Sequence, residues 1–167
     1  MRVTTRSKTQ SRRPRWGARF TGVGMAAAVA LGIAAGPAAA AEVPPIFVPG
    51  NPAAVCPDGS DALRVNPSTT PQTFHIVLPD GGTGDVTVTF SNGIKDVDFS
   101  IAQPNTLAVR QVTVKGGDNA NRYLYDAVTG FPNGIDSDSG LISPLNNGGQ
   151  LPDVSHADFC FIRDNYS

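Results

Sequence analysis

Ser155, His156 and Asp158 supply, within one short stretch, the hydroxyl, imidazole and carboxylate of a hydrolytic triad. Such a triad needs the imidazole within hydrogen-bond reach of the hydroxyl and the carboxylate behind the imidazole. The stretch reads as a strand, on which neighbouring side chains point to opposite faces. Ser155 then falls with Ala157, Phe159 and Phe161, and His156 with Asp158 and Cys160. His156 and Asp158 can meet, whereas Ser155 cannot readily join them. The chain also lacks a G-x-S-x-G elbow that would present a serine at a strand-to-helix turn. The pair reads as a histidine hydrogen-bonded near a cysteine rather than as a catalytic dyad.

Asp136-Ser137-Asp138-Ser139-Gly140 begins like a calcium loop, because hard cations take clustered carboxylate and backbone oxygens. Its glycine comes one position early, and Asn147 stands where a bidentate Glu is required, so an EF-hand is excluded. A calcium site of another kind, using Asp118, Asp136 or Asp138, stays open beside the reading of a solvated turn whose Asp and Ser cap backbone amides. Gly81-Gly82-Thr83-Gly84 lacks the Lys and Ser/Thr of a phosphate cradle and is followed by Asp85, so it reads as a hairpin loop. The two histidines, His75 and His156, have no pairable spacing for zinc. No cofactor is expected.

The first 41 residues say where the chain goes. Seven basic residues from Arg2 to Arg19, with no acidic one among them, precede an alanine-rich apolar run from Val23 to Ala35. Pro37 and the small residues Ala38 to Ala41 then lead to Glu42. Basic, apolar and small-residue blocks in that order make a secretory signal peptide over 1–41, cleaved after Ala39-Ala40-Ala41. The apolar run is too short for a membrane anchor. The remaining chain has six basic residues against 14 acidic ones, a net charge of −8 where the whole sequence sums to −1. Such acidity repels nucleic acid and anionic lipid. The single Trp, Trp16, leaves with the leader, which argues against tryptophan-based sugar stacking. Cys56 and Cys160 then read as one disulfide, since an even cysteine count in an exported protein implies bridging.

The elements that would position these residues are strands. Residues 42–55, with Pro44, Pro45, Pro49 and Pro52, read as a Pro-rich arm or linker that suits neither helix nor central strand. Residues 56–167 read as one domain. Phe74, Ile76 and Leu78 alternate with polar positions, as do Val86, Val88 and Phe90, and the two runs should form an antiparallel hairpin. Asn92-Gly93 marks the next turn. Val97, Phe99 and Ile101 give a third strand, Leu107 to Lys115 a fourth, Arg122 to Tyr125 a short fifth, and Val154 to Ile162 the last. Asp126 to Asp153 reads as a long ordered loop. The absence of helical periodicity predicts an all-β fold: an antiparallel β-sandwich with long Gly/Asn/Asp-rich loops and one disulfide, with a small closed barrel as the alternative.

Several ordered pieces of the second half resemble a recurring domain of exported bacterial proteins, notably actinobacterial ones. They are Val114-Lys115-Gly116-Gly117, Asn119-Ala120-Asn121, Tyr123 to Tyr125, Ser137 to Leu141, Asn146-Asn147-Gly148, and Ser155-His156 with Phe159-Cys160. Ile142-Ser143 and Leu151-Pro152-Asp153 depart from the pattern. The resemblance implies an exported β domain and makes Ser155-His156 a structural signature of the last strand. It brings no catalytic residue.

The function expected is that of a secreted or cell-wall-associated, non-enzymatic β module acting by binding or surface structure on an extracellular or cell-surface partner. A hydrolase using Asp carboxylates and His156, or an inhibitor-like protein, is the alternative. Binding residues favour loops on a rigid scaffold. The loops 115–121 and 126–153 are therefore expected to converge on one surface formed by Asp118, Asn119, Asn121, Tyr123, Tyr125, Asp136 and Asp138.

Overall fold

The computed structural model describes residues 41–164. The leader ahead of Ala41 and the formal glycosylation sequon Asn165-Tyr166-Ser167 lie outside the described residues. Among these described residues the fold is all-β, with nine strands: β1 (Ile46–Val48), β2 (Leu63–Val65), β3 (Gln72–Val77), β4 (Thr83–Ser91), β5 (Asp96–Ile101), β6 (Leu107–Gly116), β7 (Asn119–Leu124), β8 (Ser137–Ile142) and β9 (Val154–Arg163). They form two antiparallel sheets, one of order β1-β7-β6-β9-β2 and one of order β3-β4-β5-β8. The architecture is a sandwich, as the strand and turn spacing predicts.

Alternation decides which side chains meet between the sheets. Phe74 pairs with Val86, and Val88 with Phe99, so the apolar positions of β3, β4 and β5 share one face. Val112 and Val114 on β6, with Ala157 and Phe159 on β9, supply the facing layer, and all are fully buried. Phe99 meets Phe159 edge-on across the layer at 5.6 Å and Tyr125 at 6.1 Å. Removing each such side chain from water contributes roughly 1.5–3 kcal/mol. The Asn92-Gly93 turn between β4 and β5 takes positive φ at both residues, 49° and 66°.

Two sequence expectations need correction. The Pro-rich arm is part of the domain: Val43 is buried in the core, and β1 adds a strand to the edge of β7. Its prolines flank the three residues Ile46–Val48, which suffices for an edge strand. The second correction concerns the loop 126–153. Within it, β8 pairs with β5, and Ile135 bridges to Val109. The β8 sequence Ser-Asp-Ser-Gly-Leu-Ile carries little strand signal, and Gly140 at φ 70° with a register shift against β5 breaks its alternation. Neighbouring strands, not local propensity, make it a strand.

β1 and β2 lie at opposite edges of the five-stranded sheet, so residues 49–62 must pass from one edge to the other. They cross the face turned away from the core. At one end Gly50 N donates to Asn119 Oδ1 (3.0 Å). At the other, Cys56 is disulfide-bonded to Cys160, whose neighbour Phe159 points inward. The chain from Gly50 to Cys56 reaches about 20 Å when extended, enough to run obliquely over strands spaced about 4.8 Å apart. On the side of this strap Gln111, Thr113, Lys115 and Asp158 are buried although they face away from the inter-sheet core, Gln111 beside the bridged Cys160 and Asp158 beneath Arg64.

The bridge closes 104 residues of sequence. Cys160→Ser, or reduction of the native protein, should lower stability by on the order of 4–5 kcal/mol in the chain-entropy account, read from denaturant unfolding. Gly134 sits at φ 79°, and a Cβ there would lie 2.7 Å from the Val109 carbonyl oxygen. Gly134→Ala should therefore cost about 2 kcal/mol or more in the same assay; a cost below half of that would mean the loop yields freely.

Candidate functional site

The residues expected to form one binding surface are split between the two ends of the sandwich. Asp118 is exposed in the β6–β7 turn, and Asn119 beside it is occupied by the Gly50 amide. Tyr125 lies seven residues further on, roughly 20 Å along an extended strand. There its hydroxyl donates to Asp138 Oδ2 at 2.7 Å. Asp136, half-buried, accepts from Gln103 Nε2 at that same end. Its carboxyl is pushed up from the ordinary carboxylate value, first by burial and then by Asp164.

The inward members of the set are not surface at all. Tyr123 and Tyr125 are 1% and 0% exposed, and Asn121 and Asp138 are buried. Tyr123 Oη donates to the Ile142 carbonyl and accepts from the Ile142 amide, both at 2.9 Å. Asn121 Nδ2 donates to the same carbonyl. These side chains join β7 of one sheet to β8 of the other. Burial pushes both tyrosine hydroxyls up, and for Tyr125 the Asp138 carboxylate adds to the effect. The converging composite site is therefore not formed. Tyrosines that sequence alone offers as contact surface serve as ties between the sheets.

Ser155, His156 and Asp158 are also separated by geometry. A register shift between Lys115 and Gly116 inserts an extra residue in β9, so Val154 turns inward and Ser155 is exposed. The bulge corrects the expected grouping of Ser155 with the inward Ala157, Phe159 and Phe161. His156 does face the same side as Asp158, as expected. Its Nε2 stands 3.6 Å from Asp158 Oδ2, beyond hydrogen-bond range. Asp158 instead takes a bidentate pair from Arg64, Nε at 2.8 Å and Nη2 at 2.9 Å. No hydrogen bond links Ser155 to His156, and the three do not assemble into a triad.

His156 is held in an unfavourable place for a cation. Burial lowers its pKa from the ordinary 6.5; Asp158 opposes this, while Arg64 and Lys115 reinforce it. Among the described residues, no group of three or more His, Cys, Asp or Glu is placed to hold a metal ion.

A different set of polar side chains does come together. On the outer face of the β3-β4-β5-β8 sheet, Thr73 pairs with Thr87, Thr87 with Ser100, and Ser100 with Ser137. One row of hydroxyls thus spans all four strands. Thr73 Oγ1 and Thr87 Oγ1 lie 2.9 Å apart. Beside the row is a shallow groove of about 330 Å³, to which Thr87, Thr89, Asp98, Ser100, Ser139 and Glu42 contribute. From sequence, Thr87, Thr89, Asp98 and Ser100 read only as the polar half of alternating strands, and Ser137 and Ser139 as part of a loop. Their alignment depends on register between four strands, which one strand's pattern does not reveal.

Comparison with protein-family models, with curated proteins and with solved structures finds no match.

The depressed His156 pKa has a definite sign. In the window just below 6.5 the unfolded chain binds a proton that the folded chain refuses, so His156 makes stability fall as pH falls. His156→Gln should flatten the stability profile between neutral pH and the carboxylate range, measured by urea unfolding at a series of pH values. A profile unchanged by the substitution would mean that His156 titrates alike in both states.

Proposed function

We propose that this chain is an exported, non-enzymatic module, secreted or held at the cell wall, that binds a neutral, hydroxyl-rich surface polymer on the outer face of the four-stranded sheet. The observation that carries this reading is the cross-strand hydroxyl row Thr73-Thr87-Ser100-Ser137 beside an open groove. Hydroxyl side chains donate and accept alike, and suit a partner that does the same. Rigid strands hold them at fixed spacing, which reduces the ordering cost of binding. Asp98 and Glu42 beside the row, and the acidity of the whole domain, disfavour a polyanionic partner.

Two features support export. The leader has the block order of a cleaved signal peptide. The disulfide suits an oxidising compartment. Binding rather than turnover is favoured because Ser155 lies apart from His156 and Asp158 is taken by Arg64, so the three do not form a triad.

The test is co-sedimentation of the purified domain with insoluble wall polysaccharide. Thr87→Val with Ser100→Ala removes two hydroxyls from the centre of the row. At about 1 kcal/mol per hydrogen bond, loss of two should weaken affinity about thirtyfold, with the melting temperature little changed because Ser100 is exposed and Thr87 half-buried on the outer face. Binding that survives this double substitution, or no binding by the parent domain, would overturn the reading.

A further inference from the structure

Asp138 is an internal acid with an unusual set of partners. Its neighbour in register is Phe99, which faces the core, and only 7% of the residue is exposed. Tyr125 Oη donates to Oδ2 at 2.7 Å, and Ser139 N to Oδ1 at 2.7 Å. The third partner is the backbone nitrogen of Glu42, 3.1 Å from Oδ1 and 3.2 Å from Oδ2. Among the described residues no lysine, arginine or histidine pairs with this carboxylate. The charged residues that line the groove with it, Glu42 and Asp98, are of its own sign.

Glu42 is also the residue after Ala39-Ala40-Ala41, the small-residue end of the leader. Its nitrogen is therefore an amide in the precursor and the terminal amine after processing. We propose that hydrolysis of the Ala41–Glu42 peptide bond converts this nitrogen into an α-ammonium seated on Asp138, so that the processed N-terminus supplies the cation the buried carboxylate lacks. The inference rests on the export reading above. An exported peptidase adds water across the bond; Ala41 keeps the new carboxylate, and the freed Glu42 amine takes up a proton at neutral pH.

The placement does not depend on a loose chain end. Val43, the next residue, is 2% exposed in the core, Pro44 and Pro45 stiffen the backbone between it and β1, and β1 is paired to β7. The nitrogen cannot move far from Asp138 while Val43 stays seated. In the precursor a single N–H is shared between two carboxylate oxygens. In the processed chain three N–H donors and a full charge face the same oxygens, and hydrogen bonds of this charge-assisted kind are roughly twice as strong as neutral ones. Cleavage is then a step that completes the fold, and the position of the cut matters to a single residue.

The experiment compares two purified chains, one beginning at Glu42 and one retaining Ala41, each with and without Asp138→Asn. The Glu42 start should have an unfolding constant about tenfold lower than the Ala41 start at neutral pH, a value between those of exposed and buried pairs. In the D138N background the difference between starts should vanish. An equal difference in both backgrounds would overturn the proposal. If D138N does not fold, amine-reactive labelling of the otherwise native Glu42 start decides. Labelling of the terminus at least about tenfold slower in native protein than in urea is expected of an amine paired with a carboxylate, and equal rates refute it. Sequencing of exported protein separates the two readings: a start at Glu42 supports both. A processed start elsewhere sinks this inference alone, and an unprocessed chain retained in cells sinks the export reading.

Discussion

Closure of the sandwich along its β7–β8 side depends on hydrogen bonds made inside the fold. The two sheets meet there without a shared backbone ladder, so side chains must do the joining. Tyr123 exchanges donor and acceptor with the backbone of Ile142, and Tyr125 reaches Asp138. Each ring also packs in the core, so one residue supplies apolar area and a polar link together. Such groups are costly to leave half-satisfied in a low-dielectric interior. Strand β8, which has little strand propensity of its own, is held where these partners need it.

The strap places a second demand on the chain. It lies on the outer face of the five-stranded sheet, where Gln111, Thr113, Lys115 and Asp158 are buried. Burial of charge is tolerated through local pairing: Arg64 holds Asp158 from the edge strand β2, and the Lys115 ammonium donates to the Gly117 carbonyl. His156 lies in the same layer and resists protonation. The disulfide pins the strap to β9.

Much of the fold was legible where alternation was strong. The hairpin of β3 and β4, the inward Val97, Phe99 and Ile101, and the last strand come from period-two patterning bounded by turn residues. The disulfide followed from an even cysteine count in a chain read as exported. The features that were not legible have a common cause: they depend on partners distant in sequence. β8 lacks apolar alternation, β2 is only three residues long, and the β9 bulge reverses the side on which Ser155 lies. The candidate site failed for the same reason. Tyr and Asp near glycine-rich turns look solvent-facing until another sheet is laid over them. The hydroxyl row was invisible because its order runs across strands rather than along them.

The two outer faces of the sandwich are unlike: one sheet has a disulfide-pinned segment laid on it, and the other is bare strand. If the bare hydroxyl face is the binding face proposed above, a single domain presents it once. Holding two polymers together would then take a second copy, so valency would be a matter of assembly.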